Sequence, residues 1–298
     1  MIPGVLKNNR GIALLITLSV VTIVVTIALE LNRKVRSSVI SMGTSRDRIT
    51  LSYMANSGIN TAMAMLAKDK KVSITDTLQE DWANPEKIAE ALQDIPFEAG
   101  DVTVRITDEL GKIQLNALAV FPGARKFNET QRQLWDRFLY LAISQDDSLE
   151  EIEPSMIINS AKDWLDSGDD DAITGLNGAE IDYYEDLDPP YACKNDRFAH
   201  ISELLLVRGV TPELFYLLGG SQGISDYLTV YGMKETGKNT FTYEGKVNIS
   251  TAELPVLAAI LPLGYEELAG VLHAYRIEMS ESGYINDLSR PTWYKSIL

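Results

Sequence analysis

The chain is short of the side chains that most often carry chemistry. Its 298 residues include one cysteine, Cys193, and two histidines, His200 and His273. A single cysteine excludes an intramolecular disulfide. One cysteine with two distant histidines argues against a structural zinc centre. A Cys–His nucleophile pair would have only these three residues to draw on. Basic residues are also scarce, with 27 Lys and Arg against 42 Asp and Glu, a net charge of −15. Phosphate backbones want Lys and Arg, so nucleic acid is not an expected partner. What is present is ordinary: 45% of residues are hydrophobic and 23% charged. That composition excludes a disordered tail, a collagen-like repeat and a small disulfide-stapled domain. The length suits one large domain or two ordinary ones.

The acidity is concentrated. Between Asp146 and Asp188 there are 15 acids and one base, Lys162, a net of −14, which leaves the rest of the chain nearly neutral. The N-terminus has the opposite character. Ile12 to Leu29 is an 18-residue run without a charge. A helix of that length spans about 27 Å and nearly matches the hydrocarbon core of a bilayer. Lys7 and Arg10 precede the run and Glu30 ends it. The positive-inside rule then places the short N-terminus in the cytoplasm and the rest outside. A cleaved secretory signal would need a shorter apolar core and a small-x-small site after it, and none follows.

The junction Asn9-Arg10-Gly11-Ile12-Ala13-Leu14-Leu15 resembles the processing site of type IV prepilins and pseudopilins. The resemblance implies cleavage between Gly11 and Ile12 by a prepilin peptidase, methylation of Ile12, and retention of the apolar helix. Most pilin-like subunits carry Glu at the fifth mature position, and here that position is Ile16. An apolar residue there resembles the minor pseudopilin K subunit of type II secretion, a family whose place is thought to be the filament tip.

Beyond the apolar run, Leu31, Val35, Val39, Met42, Ile49, Met54, Ile59, Met63 and Leu66 recur at roughly helical steps. The spacing predicts a core-facing helix, and the resemblance implies one laid on a sheet. Asp101 to Ala117 alternates at Val102, Val104 and Ile106, turns at Asp108-Glu109-Leu110-Gly111, and alternates again at Ile113 and Leu115. That pattern predicts a hairpin. The same stretch resembles the D-E-x-G-K-(I/L)-x-L-N-x-L segment of the K subunit.

Thr130 to Ile143 and Ser155 to Leu165 read as helices. At the end of the second and after it lie Asp163-Trp-Leu-Asp166, Asp169-Asp170-Asp171 and Glu180-Ile-Asp182. Carboxylates this dense are either solvated and mobile or neutralised by a cation. Calcium suits an all-oxygen ligand set. An EF-hand frame starting at Asp169 fails, because Ile173 and Thr174 stand where Asp or Asn and Gly belong. The run from D-W-L-D through A-E-x-D-Y-Y to L-D-P-P-Y resembles the calcium-binding region of the K subunit. The resemblance implies one or two calcium ions, with Asp163, Asp166, Asp169, Asp171, Glu180, Asp182 and Asp188 as the expected ligands.

Ile201 to Leu218 reads as helix, turn at Gly209, then helix, with Thr211 as N-cap and Pro212 opening the second. A second unit of this kind runs from Val247 through a turn at Leu263-Gly264-Tyr265. Both look like helix-hairpin-helix units, but Glu213, Glu266 and Glu267 flank the turns, which suits structural use over DNA contact. Gly232 to Asn239 matches GxxxxGK, yet the next position is Asn239 where magnesium needs Ser or Thr. Phe241 and Tyr243 then alternate, so a hairpin loop is the expectation.

The expected fold class is α+β. A long N-terminal transmembrane helix would pack on a small antiparallel, pilin-like sheet that carries a large inserted all-α domain. The expected divisions are a leader at 1–11, a transmembrane helix at 12–30 and a pilin-like helix and sheet at 31–118. An acidic helical insert at 119–250 and C-terminal helices at 251–298 complete them. The resemblance runs to about Leu288, so the closing strands of the sheet are expected to be short or absent. It implies a minor pseudopilin of the inner membrane with a periplasmic body, acting by assembly and not by catalysis. Implied partners are minor pseudopilins I and J, the major pseudopilin and the prepilin peptidase. Two alternatives remain open: a minor pilin of a type IV pilus or competence system, and a signal-anchored periplasmic enzyme, for which no polar constellation is evident.

Overall fold

The computed structural model describes residues 10–297, apart from 94, 96, 98, 99, 169–172, 219, 220, 239 and 282. The chain divides into two compact units. One holds the N-terminal helix as far as residue 64, together with 90–104; the other holds 65–89 and 105–298.

Helix α1 runs from Arg10 to Asp69, 60 residues, or roughly 90 Å at the α-helical rise. Its apolar window has a mean hydropathy of 2.8 and none of it is buried by the rest of the chain, so it is long and apolar enough to cross a membrane. The hydroxyls of Thr17, Ser19, Thr22 and Thr26 donate to carbonyls one turn back at 2.6 to 2.9 Å. These polar groups are thereby satisfied without leaving the helix, as a lipid environment demands. The apolar stripe beyond Leu29 is largely uncovered. Leu31, Val39 and Met63 are each 62% exposed, whereas Met54 is 6% exposed. Within this unit the cover is an extended segment around residues 100–104. A Cβ on Gly58 would lie 2.9 Å from both Val102 Cγ1 and Val104 Cγ2. Of the stripe, the core-facing expectation therefore holds at Met54, and Gly58 is a close contact that the stripe did not include.

The hairpin expected over 101–117 does not form. Residues 101–108 are extended but carry no assigned ladder, Glu109–Gly111 is a 3-10 turn, and β1, Ile113–Gln114, pairs elsewhere. The physical reason is that the turn is anchored sideways. Asp108 Oδ1 accepts from the Leu110 amide at 2.8 Å, while its Oδ2 accepts from Asn248 Nδ2 at 2.9 Å and Thr251 Oγ1 at 2.7 Å. Gly111 sits so close to this second segment that a Cβ would lie 2.9 Å from Thr251 Oγ1. The following residues then enter the core on both faces: Ile113, Leu115, Ala117 and Leu118 are buried. Asn116, also buried, donates to the carbonyls of Phe198 and Val230 and accepts from the Phe198 amide at 2.8 Å.

Around this strap the second unit combines short helices with two-stranded ladders. Its elements are α2 (Pro85–Gln93, which runs into the first unit), α3 (Glu129–Ile143), α4 (Pro154–Leu165), α5 (Ile181–Glu185) and α6 (Pro212–Tyr216). Short ladders follow: β2 (Leu217–Leu218) with β3 (Ser221–Gln222), antiparallel, and β4 (Leu228–Thr229), parallel to β1. The antiparallel pair β5 (Met233–Gly237) and β6 (Thr240–Tyr243) comes next. Helices α7 (Leu254–Ile260) and α8 (Leu268–Ile277) and the antiparallel pair β7 (Met279–Ser280) and β8 (Gly283–Tyr284) complete the order. The fold is thus mixed, helix-rich with small and mainly antiparallel sheets, as the α+β expectation had it. Trp135, Phe138, Leu139, Ile157, Leu204 and Val256 form the centre of its core.

The sequence turns are placed as expected, but the helix expected through Leu218 stops at Tyr216 and Leu217–Leu218 is strand β2. Thr211 Oγ1 accepts from the Leu214 amide at 3.2 Å and Pro212 opens α6. Gly209 and Gly264 hold φ of 89° and 87°. The segment before Gly209 winds as a 3-10 helix, Ile201–Leu206. The GxxxxGK run is the β5–β6 hairpin, but Gly232 lies before it. A Cβ there would fall 2.6 Å from the Gln114 side chain, so its backbone serves packing.

Arg276 is fully buried in α8. Its Nη1 donates to the carbonyls of Ile249 at 2.8 Å and Ala252 at 2.9 Å, and its Nη2 lies 2.9 Å from His273 Nδ1. A guanidinium only donates, so His273 must accept and is neutral. Burial first, and the Arg276 charge second, hold His273 below its ordinary 6.5; Glu253 opposes them. Burial also lowers Arg276, to about 10. A histidine depressed in the folded state binds more protons when unfolded. Its contribution is therefore complete above about pH 6.5 and is lost as pH falls below that value. Denaturant melts at about pH 7.5 and 5.5 should show an acid loss of stability that is smaller in His273→Gln than in the parent.

Candidate functional site

Helix α4 buries Ile157, Ile158, Ala161, Trp164 and Leu165. That orientation leaves no solvent for the carboxylates on its last turn. Asp163 is wholly buried and Asp166 is 7% exposed. A helix C-terminus repels negative charge, so both stand in an unfavourable field. Glu180, just before α5, comes back to meet them and is 5% exposed. One carboxylate oxygen from each of the three lies within 4.8 Å of the others.

Asp163 is held by backbone amides. Thr174 donates to its Oδ1 at 3.2 Å and its Oδ2 at 3.0 Å, and Ala179 donates to Oδ2 at 3.0 Å. Asp166 Oδ1 accepts from the Gly168 amide at 2.9 Å. Lys162 Nζ lies 2.5 Å from Asp166 Oδ2 and 3.8 Å from Asp163 Oδ1. Burial pushes the Asp163 carboxyl above its ordinary range, and the amides and the Lys162 ammonium pull it back. Gly178 makes the loop possible. Any Cβ there would overlap Asp163 Oδ2 and crowd the Thr174 backbone. Arg208 Nη1 fixes the loop from outside by donating to the Gly178 carbonyl at 3.1 Å.

Aromatic rings pack around Trp164, the residue next to Asp163. Trp164 packs edge-on to Tyr184 with centroids 5.3 Å apart, and Tyr191 and Phe198 lie 6.4 Å from it. Burial raises the Tyr184 hydroxyl and pushes the Cys193 thiol up to about 12. Cys193 is therefore an unreactive packing residue.

Of the expected ligands, the structure brings together Asp163, Asp166 and Glu180. Asp169 and Asp171 lie outside the described residues. Asp182 and Asp188 are exposed and stand apart from the group. Asp182 belongs to the first turn of α5, where a helix N-terminus favours a carboxylate without a cation. Sequence reasoning missed two members. Lys162 had a signal, as the one base in the acidic block and four residues before Asp166. Gly178 had none, because its role comes from the loop closing over Asp163. A second acidic group, Asp69, Asp76 and Glu80, also has oxygens within 4.8 Å of one another, with Asp69 and Glu80 half-buried and Asp76 exposed. Burial and neighbouring carboxylates raise Asp69 and Asp76. At the other end of the chain, Gly11 and Ile12 lie exposed in the first turns of α1, and a Cβ on Gly11 would meet nothing within 4 Å.

Gly178→Ala is expected to lower stability by about 1–3 kcal/mol through forced overpacking. Urea denaturation of the variant against Gly270→Ala, whose added Cβ would meet nothing within 4 Å in α8, checks whether the loss belongs to the Asp163 contact.

Residues 111–219 match the family model of type II secretion system protein K. The type II secretion system protein K of Aeromonas hydrophila is 26% identical over 211 residues, 70% of this chain and 61% of that protein. Its counterpart from Pectobacterium carotovorum subsp. carotovorum is 24% identical over 210 residues, with the same coverage. The chain thus spans about 61% of the length of these relatives. In fold it is similar to a chain of the GspK–GspI–GspJ complex from the enterotoxigenic Escherichia coli type 2 secretion system. That match has a TM-score of 0.52 at 19% identity and covers 74% of this chain and 68% of the other. The buried carboxylates lie inside the matched family domain; in sequence the chain is similar to type II secretion system protein K, and in fold to a chain of that complex.

Proposed function

We propose that this protein is a minor pseudopilin at the tip of a type II secretion pseudopilus, where it helps to initiate and cap assembly for export across the outer membrane. The observation that carries the reading is the protein K domain over residues 111–219 joined to an N-terminal helix whose apolar surface the chain itself leaves bare. A bare apolar helix needs lipid or like helices around it. Ile16, 58% exposed on that helix, offers no carboxylate to a neighbour's N-terminal amine. A subunit of this kind suits the end of a filament. In this reading α1 crosses the bacterial inner membrane once, with Lys7 and Arg10 cytoplasmic and the body periplasmic. A prepilin peptidase cuts between Gly11 and Ile12, and Ile12 is methylated. Minor pseudopilins I and J and the major pseudopilin are the partners. The protein works by assembly and performs no catalysis.

The reading includes calcium. The donor set is oxygen only, buried, and carries three negative charges against one lysine. That fits a hard divalent cation and not zinc. Asp163, Asp166 and Glu180 would hold the ion, which supplies positive charge that binds the Asp163 loop to the end of α4.

Two experiments test the reading. Gly11→Ala leaves the helix undisturbed, so it should fold normally yet stay unprocessed, seen as a leader-sized mass increase, with loss of secretion. Normal processing and secretion would refute the pseudopilin assignment. Full-length protein in detergent should melt at higher temperature in calcium chloride than in EGTA, and Asp163→Asn should erase most of that difference. An equal melting temperature in both buffers would remove calcium from the account.

A further inference from the structure

The one base of the acidic block does not sit on its surface. Lys162 is 8% exposed, and its ammonium lies between Asp166 at 2.5 Å and Asp163 at 3.8 Å. Lys162 lies in the last turn of α4 and Asp166 caps its C-terminus four residues on, so the contact joins groups that are close in sequence. The same two carboxylates are the α4 contribution to the cation site proposed above. A point positive charge therefore already stands against two of the three carboxylates that a divalent cation would use.

Two consequences follow from electrostatics. In the metal-free protein the ammonium offsets part of the repulsion among three buried carboxylates at an unfavourable helix end, so the cradle can persist without an ion. When a divalent cation enters, the ammonium faces a like charge at short range in a poorly screened environment. A lysine has a flexible four-carbon stem and a strongly hydrated head, so it can swing out where an arginine fork would hold. We propose that Lys162 is a resident counter-ion that holds the cradle in the metal-free protein, competes with calcium for it, and leaves the carboxylates when calcium binds. This rests on the calcium reading of Asp163, Asp166 and Glu180. It makes Lys162 a tuning residue that weakens affinity and spares the domain from unfolding when calcium is withdrawn.

The test uses the full chain in detergent, with calcium chloride as the titrant and EGTA as the metal-free state. Lys162→Met keeps the stem and removes the charge; Lys234→Met removes a lysine that pairs with Glu244 at 2.6 Å on the exposed β5–β6 hairpin. Calorimetry should give Lys162→Met a calcium dissociation constant roughly tenfold or more below that of the parent. Its melting temperature in EGTA should fall, and its rise on adding calcium should exceed the parent's. Lys234→Met should behave as the parent. Lysine acetylation of the unmutated protein, read by mass spectrometry, provides a measurement free of any folding defect. Lys162 should be protected in EGTA and modified in calcium. Equal calcium affinity in parent and Lys162→Met, or protection of Lys162 in both buffers, would overturn this inference while leaving the calcium site standing. Absence of binding by both proteins would remove the calcium reading and this inference with it.

Discussion

A carboxylate buried at the C-terminal end of a helix is the constraint around which the second unit is organised. Asp163 has no exposure, and it stands where the helix field is negative. Left alone, such a group would protonate or drag its loop into water. The fold answers with donors: two amides of the returning loop and the ammonium of Lys162. Each donor fixes a further element. The Thr174 and Ala179 amides set the path of the loop, and that path requires a glycine at 178. The loop delivers Glu180 to the same place, and Arg208 ties its outer side to the segment before α6. The burial of Asp163, Asp166 and Glu180 keeps the field strong by keeping water out.

A related rule, that a polar group drawn from water must find its partner, explains the strap from Asp108 to Asn116, where Asp108 and Glu109 are half-buried and Asn116 is buried. Its sequence alternates like a hairpin, but the polar residues decide otherwise. Asp108 is taken by Asn248 and Thr251, Glu109 by Lys112 and Thr229, and Asn116 by the backbone at Phe198 and Val230. These contacts join three segments far apart in sequence. Once the turn is fastened to them, the second half of the stretch cannot fold back on the first.

Much of this was legible from the residues. The apolar run, the helices α3 and α4, the Thr211-Pro212 cap and the turns at Gly209 and Gly264 depend on local signals, and local signals survive in the sequence. The meeting of Asp163 and Asp166 with Glu180 was legible as a list of carboxylates but not as a selection from it. Selection depends on burial, and burial depends on which face of α4 meets the core and where the loop returns. The parallel pairing of β1 with β4 links Ile113 to Leu228, and no local pattern announces a ladder of two residues across such a distance. The stripe along α1 misled for a related reason. Periodicity shows that a face is apolar, not whether its cover comes from the same chain.

The acidic block can now be divided by its physics. Asp147, Glu150, Glu151, Glu153, Asp182, Glu185, Asp186 and Asp188 are exposed, and water with dissolved salt is enough for them. Asp163, Asp166 and Glu180 are buried, and for them water is not available. A cation bound to the exposed set would gain little, since each charge is already solvated and screened. A cation bound to the buried set replaces an absent solvent. The net charge of the block is therefore a poor guide to its chemistry. The few carboxylates that the core has enclosed, with one lysine enclosed beside them, are the part that can tell one cation from another.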